Sequence, residues 1–291
     1  MIICVVGPTG VGKTKMSIKL AKIFNGEIIN ADSMQVYKEL DIGTAKVKPN
    51  EKCGVKHHLF DIREVNDDYS VYDYQSDARK KIDEILASKK VPILVGGTGY
   101  YIKTALYDYV FLEEMVENDY SNLSDEEIYE RILKYECGVA IDKNNRKRNE
   151  RLLTKLEMGT FQNQDFKLIY DDVYFVGLTT NRDELYKRID QRVMDMLVEL
   201  IDEVKPFYLN NVRSKAIMNG IGYKEFYPFF ENKSSLKDCV EKVKQNSRNY
   251  AKRQYTWFLN QMDVKWFSVD YQDFDKTVLE VSQYITNEND N

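Results

Sequence analysis

A chain of 291 residues can bury a full core, and one domain with a smaller inserted or appended one is the natural expectation. With 43% hydrophobic and 31% charged residues and no apolar run of membrane-spanning length, it reads as a soluble cytoplasmic protein without a signal peptide or membrane anchor. A formal charge of −5 excludes a uniformly basic nucleic-acid coat, and the scattered Cys4, Cys53, Cys137 and Cys239, with no C-x-x-C pair, exclude a zinc module or disulfide framework.

The chain opens with Ile2-Ile3-Cys4-Val5-Val6, a buried-strand pattern, followed by "GPTGVGKT". Gly7, Pro8, Thr9, Gly10, Val11, Gly12, Lys13 and Thr14 satisfy G-x-x-x-x-G-K-[ST] without a gap. Met16, Leu20 and Ile23 then recur at helical spacing, so the context is strand, loop, helix. Glycines there turn backbone N–H groups toward an anion, the helix N-terminus adds partial positive charge, Lys13 reaches the outer phosphate and the Thr14 hydroxyl suits Mg²⁺. The motif names a phosphate but not a reaction.

Further strands are expected at 27–30, 91–95 and 173–178, with helical patterns at 71–87 and 183–204. The alternation predicts an α/β fold, a P-loop NTPase-like parallel sheet flanked by helices. Residues 109–145 are acidic, lack strand patterns and hold one amphipathic segment, 124–135. They read as a small helical insertion between a first core part, 1–108, and the rest, 146–291. From 183 onward the chain looks helical, with breaks near Pro206, Gly220–Gly222 and Pro228.

In open parallel sheets ligands sit beyond the carboxyl ends of the strands. "EIINADSMQVY" delivers Asp32, Ser33, Met34 and Gln35 there, and "VPILVGGTGYYI" delivers Gly96, Gly97, Thr98 and Gly99. Asp32 is a helix N-cap, a Mg²⁺-binding carboxylate or a general base, the last typically a factor of roughly 10²–10⁴ in rate. Thr98 is a catalytic or a capping hydroxyl. The strand 91–95 ends in glycines where an NTP-hydrolysing machine usually places a Walker-B Asp. The loop is therefore suited to a diphosphate that leaves. The adjacent His57 and His58 point to opposite sides of an extended chain and suit packing better than binding one metal.

Two basic stretches stand out on this acidic chain: 143–151, with Lys147, Arg148 and Arg151, and 242–254. In the helical pattern 236–260, Lys244, Arg248 and Lys252 form a stripe continued by Arg253, Gln254 and Trp257. Such a stripe is either a solvated face or, with aromatics interleaved, a surface for RNA.

In order along the chain, "GPTGVGKT", "ADSMQVYKELDIGTAK", "HHLFD", "YSVYDY", "PILVGGTGYYI", "IGYKE" and "YAKRQYTWF" resemble the bacterial tRNA isopentenyltransferase (IPP transferase) family. The resemblance spans nearly the whole chain and is weakest at 103–172 and after about 268. It implies Mg²⁺-dependent transfer of a dimethylallyl group from dimethylallyl diphosphate to N6 of the adenosine 3′ of the anticodon, position 37, in tRNA. The family's base falls on Asp32 and its threonine on Thr98. The family's contacts to the anticodon stem-loop fall on Asp32 to Gln35, Thr98, 147–151, the turn with Gly222, Tyr223 and Lys224, and the stretch with Lys252, Arg253, Gln254 and Trp257. Arg182, Arg188 and Arg192 are further candidates for the diphosphate. Departures are Asn145, Leu152, Thr154, Ser247 and Asn249 at family positions, and an insertion shorter than usual. The eukaryotic zinc finger has no counterpart, so a bacterial form, acting as a monomer, is expected. Alternatives are an isopentenyltransferase using free adenine nucleotides and a P-loop small-molecule kinase.

Overall fold

The computed structural model describes residues 1–111, 118–135, 137–138, 141–159, 161 and 166–289. In chain order the elements are β1 (Ile2–Val6), α1 (Lys13–Ile23), β2 (Gly26–Asn30), β3 (His57–His58), α2 (Val71–Ala87), β4 (Val91–Val95) and α3 (Gly99–Leu106). There follow α4 (Asp125–Leu133), α5 (Arg146–Glu157), β5 (Val173–Thr179), α6 (Arg182–Asp195), α7 (Leu197–Leu209) and α8 (Lys215–Asn219). The chain closes with α9 (Tyr227–Phe230), α10 (Leu236–Gln261), β6 (Lys265–Ser268) and α11 (Phe274–Asn289).

The six strands form one sheet in the order β3-β2-β4-β1-β5-β6, with every pairing parallel. β1 lies between β4 and β5 and is buried on both faces, which its unbroken apolar sequence requires. Its residues alternate: Ile3 and Val5 join a core with α1, α6 and α11, whereas Ile2, Cys4 and Val6 join one with α2, α3 and the end of α10. A third core gathers Val36, Tyr37 and Leu40 against Leu200, Val204, Tyr223 and Val243.

The parallel α/β reading and the four expected strands hold. β3 and β6 were not foreseen; each is a short edge strand with no long β-branched run to mark it. The pattern 183–204 divides at Met196, so that Leu185 and Ile189 of α6 pack on the first core while Leu200 and Val204 of α7 pack on the third. Pro206 lies inside α7, which ends at Leu209, rather than breaking it.

The chain forms two compact units, Met1–Tyr107 with Leu168–Asn291, and Asp108–Lys167. The latter holds α4, capped by a reciprocal Ser124–Glu127 box, and α5, which the sequence reading grouped with the returning core. α5 packs on α4 through Leu153 and Leu156 against Ile128 and Ile132, which is why the compact unit extends beyond 145. Parts of the expected insertion, 112–117, 136 and 139–140, lie outside the described residues. In the first unit, Tyr107 and Leu168, at the exit and re-entry of the chain, form an antiparallel bridge.

Candidate active site

The phosphate loop leaves β1 with Gly7, Gly10 and Gly12 all at positive φ (135°, 84° and 106°), and a Cβ on Gly7 would stand 2.5 Å from the Leu178 carbonyl oxygen. Lys13 Nζ donates to the Gly7 and Pro8 carbonyls, at 2.9 Å each. Burial pulls the ammonium down to about 8; the Asp32 charge works against that shift and Arg192 works with it. α1 begins at Gly12 with no side-chain cap, leaving its first-turn N–H groups to an incoming anion. Thr14 is exposed in that turn.

Asp32 follows β2 in a turn, not at the head of a helix, so the N-cap alternative falls away. Its Oδ1 accepts the Met34 N–H at 2.9 Å. The fully buried Asn30 brackets its backbone: Oδ1 accepts the Asp32 N–H at 2.9 Å, and Nδ2 donates to the carbonyls of Asp32 (3.0 Å) and Leu59 (3.1 Å). Burial raises the Asp32 carboxyl above the usual range, opposed by the Met34 N–H, Lys13, the Gln35 N–H and Arg192. A carboxylate with raised proton affinity beside a cationic loop is suited to accept a proton.

β4 ends in Gly96-Gly97-Thr98-Gly99 and enters α3. Thr98 occupies the N-cap position without making a side-chain cap bond. Its Oγ1 instead accepts the Ser33 N–H at 3.1 Å and donates to Ser33 Oγ at 3.3 Å, tying this turn to the one that carries Asp32. Gln254 of α10 is buried; its Oε1 accepts the Thr9 N–H at 2.8 Å and its Nε2 donates to the Gly97 carbonyl at 3.1 Å. A Cβ at Gly97 would lie 1.8 Å from Gln254 Nε2, and one at Gly99 2.0 Å from the Trp257 ring. At Gly99 the indole leaves no space for a side chain, and at Gly97 an added methyl would displace the Gln254 amide.

Two residues of the site, Tyr250 and Asn30, escaped the sequence reading. Tyr250 lies within hydrogen-bonding reach of Thr98 and Gln254, and burial followed by the Asp32 charge raises its phenol. Of the three arginines named without ranking as candidates for the diphosphate, Arg192 and Arg188 lie against the phosphate loop. Arg192 Nη2 donates to Thr9 Oγ1 at 2.9 Å, its Nε is buried without a partner, and its charge couples to Asp32. Arg188 Nε donates to the Gly10 carbonyl at 3.3 Å and stacks on Tyr271, whereas Arg182 stacks on Tyr186. One available signal was Gln254 itself, a polar residue in phase with the buried Val243, Ser247, Ala251 and Phe258.

The expected RNA contacts divide. Lys252 and Arg253 are exposed, and with Asn249, Thr256, Trp257, Asn260 and Gln261 they line a depression on α10. Arg248 is instead tied to Asp190 at 2.5 and 2.7 Å, and Lys244 to Glu241 at 2.8 Å. Gln254 faces inward, as described. Tyr223 is buried and its hydroxyl donates to Glu203 at 2.8 Å, so its part in the turn is packing; Gly222 donates to Glu225 at 3.0 Å, and Lys224 is exposed. Gln35 Nε2 donates to the Thr44 carbonyl at 2.9 Å, and Met34 packs against the third core. Lys147, Arg148 and Arg151 are exposed on α5 of the second unit. His58 pairs with Glu27 at 2.6 Å and His57 with the Val55 carbonyl at 2.8 Å, the structural role expected of them.

Comparison with known proteins agrees with this geometry. Residues 35–261 match the family model described as IPP transferase. The tRNA dimethylallyltransferase of Anoxybacillus flavithermus is 44% identical over 298 residues, covering 98% of this chain and 96% of its own length. That of Bacillus subtilis is 46% identical over 286 residues, covering 92% and 90%. The crystal structure of the tRNA isopentenylpyrophosphate transferase of Bacillus halodurans superposes with a TM-score of 0.77 at 37% identity, covering 98% of this chain and 95% of that one. A eukaryotic dimethylallyltransferase acting on tRNA superposes with a TM-score of 0.83 at 30% identity, covering 99% and 78%.

Proposed function

The chain belongs to the IPP transferase family, and we infer that it transfers a dimethylallyl group from dimethylallyl diphosphate to N6 of the adenosine 3′ of the anticodon, position 37, in tRNA. The observation that carries the chemistry is the buried Asp32 turn, held by Asn30 and tied through Thr98 and Gln254 to the phosphate loop, on whose Thr9 Arg192 also rests. The loop N–H groups, Lys13 and Arg192 take up the charge that develops as the allylic C1–O bond breaks and diphosphate leaves with the electron pair. The adenine N6 lone pair is delocalised into its ring and attacks C1 only as its proton is removed. Asp32 accepts that proton while the N6–C1 bond forms. Thr98, bonded to the Ser33 backbone, borders the same reacting end.

A magnesium ion fits this site as a companion of the diphosphate. Among the described residues no group of three His, Cys, Asp or Glu could cage one, and the exposed Thr14 hydroxyl offers a single hard oxygen. Held there with diphosphate oxygens and water, it would add charge to the leaving group.

The target base must leave the anticodon-loop stack, at a cost of a few kcal/mol. Lys252 and Arg253 of α10, and Lys147, Arg148 and Arg151 of α5, would hold the RNA backbone. Among the described residues no helix is long and apolar enough to cross a membrane, and a tRNA substrate assigns the work to the cytoplasm.

The test offers labelled dimethylallyl diphosphate with unmodified tRNA, with AMP and with no acceptor, followed by mass spectrometry of digested tRNA. Prenylated adenosine at position 37 is expected. Label reaching only AMP would favour the free-nucleotide reaction, and turnover of γ-labelled ATP without prenyl transfer would favour a kinase.

A further inference from the structure

We propose that Gln254 is a positioning residue, which sets the phosphate loop and the Thr98 turn at their reactive separation, rather than a contact to RNA. The inference rests on the prenyl-transfer reading and deepens it.

The geometry is specific. The bonded group on the phosphate loop is the Thr9 backbone N–H, a donor, so the Gln254 amide turns its oxygen that way, at 2.8 Å. Its nitrogen is then directed to the Gly97 carbonyl, at 3.1 Å. One planar amide thus spans two loops that no other bond between side chains and backbone is seen to join among the described residues. The Thr98 hydroxyl, next along the chain from Gly97, bonds the residue that follows Asp32. A single side chain therefore links the loop that holds the leaving group to the turns that carry the base. Because Gly97 has no Cβ, the amide can approach its carbonyl; an added methyl would stand 1.8 Å from Gln254 Nε2. Gln254 is 4% exposed, which removes it from the face formed by Lys252, Arg253 and Thr256. Tyr250, one turn earlier on α10, lies within hydrogen-bonding reach of the same Gln254 and of Thr98.

Gln254→Ala leaves every group that touches substrate in place and removes only the link. Misplacement of reacting groups by about 1 Å costs on the order of 10²-fold in rate. The expected result is a kcat lower by about 10- to 100-fold at saturating substrates. The Kd for tRNA, by filter binding, and the Kd for inorganic pyrophosphate, by calorimetry, should each change less than about threefold. Q254M fills nearly the same space without a charge and donates nothing to the Gly97 carbonyl, and it should show the same split; it carries the test if Q254A loses its cooperative thermal transition. A weaker tRNA Kd with unchanged kcat would make Gln254 an RNA contact and overturn the proposal, as would full activity of Q254A. G97A and G97A/Q254A complete the cycle: with the amide removed, the added methyl should cost less than it does alone. Equal costs in both backgrounds would refute the shared contact. Pyrophosphate and tRNA binding are read without turnover, so an inactive wild-type protein would defeat the prenyl-transfer reading separately.

Discussion

Asp32 and Lys13 share one buried field: burial pushes the carboxyl up and the ammonium down, and the attraction between them pulls both part of the way back. The turn after β2 and the phosphate loop thus carry opposite, mutually attracting charges before any substrate arrives.

Replacing Asp32 by Asn should remove prenyl transfer by at least about 10²-fold while leaving tRNA binding intact. The same variant reports on folding. The folded carboxyl titrates above its unfolded value, so folding disfavours the ionised form. The penalty is absent below about pH 4, where both states are protonated, and grows as pH rises to the folded value. Thermal melts should therefore place D32N above wild type at pH 7.5, with the gap closing at pH 4. A D32N protein less stable at pH 7.5 would mean that the cations outweigh burial.

Lys13 titrates near neutrality, at about 8, and is drawn back up when a diphosphate binds. Pyrophosphate binding should take up a proton at pH 8.5, read as a buffer-dependent calorimetric heat, and the KM for the prenyl donor should climb as pH rises through 8. Lys13→Met should weaken binding and abolish both effects. In folding the sign is reversed from a paired lysine: the penalty for burying the charge is full below about 8 and fades as pH approaches the usual lysine value of about 10.4.

On α10, neighbouring cations do different work. Lys252→Ala and Arg253→Ala should each weaken tRNA binding across all sequences and lower the salt slope by roughly one. Arg248 grips Asp190 through both oxygens and joins α10 to α6. R248A should lower the melting temperature and leave the salt slope nearly unchanged. A tRNA Kd for R248A that falls off as steeply as for K252A would return Arg248 to the RNA face.

The phosphate loop and the β1, β2, β4 and β5 strands were legible because apolar runs and fixed glycine spacing are local signals. The division of labour inside the motifs was not, because it depends on long-range partners. "DIGTAK" and "IGYKE" read as signatures of chemistry, yet Glu203 of α7 accepts the N–H groups of Asp41, Ile42 and Gly43 and the Tyr223 hydroxyl, joining the two stretches. Lys46 binds Asp41 and Asp61 at 2.6 and 2.5 Å and the Tyr37 carbonyl at 2.8 Å, which ties "HHLFD" to the same loop. Helical periodicity revealed α10, but not that its stripe of cations was partly spent on internal ion pairs.

The bridge between Tyr107 and Leu168 closes the core across the point where the chain departs for α4 and α5. The exit and the re-entry of the chain are therefore held side by side, while the register of the sheet is set by its own strand pairs. An excursion that leaves and returns through paired residues can differ in length at little cost to the strands on either side of it.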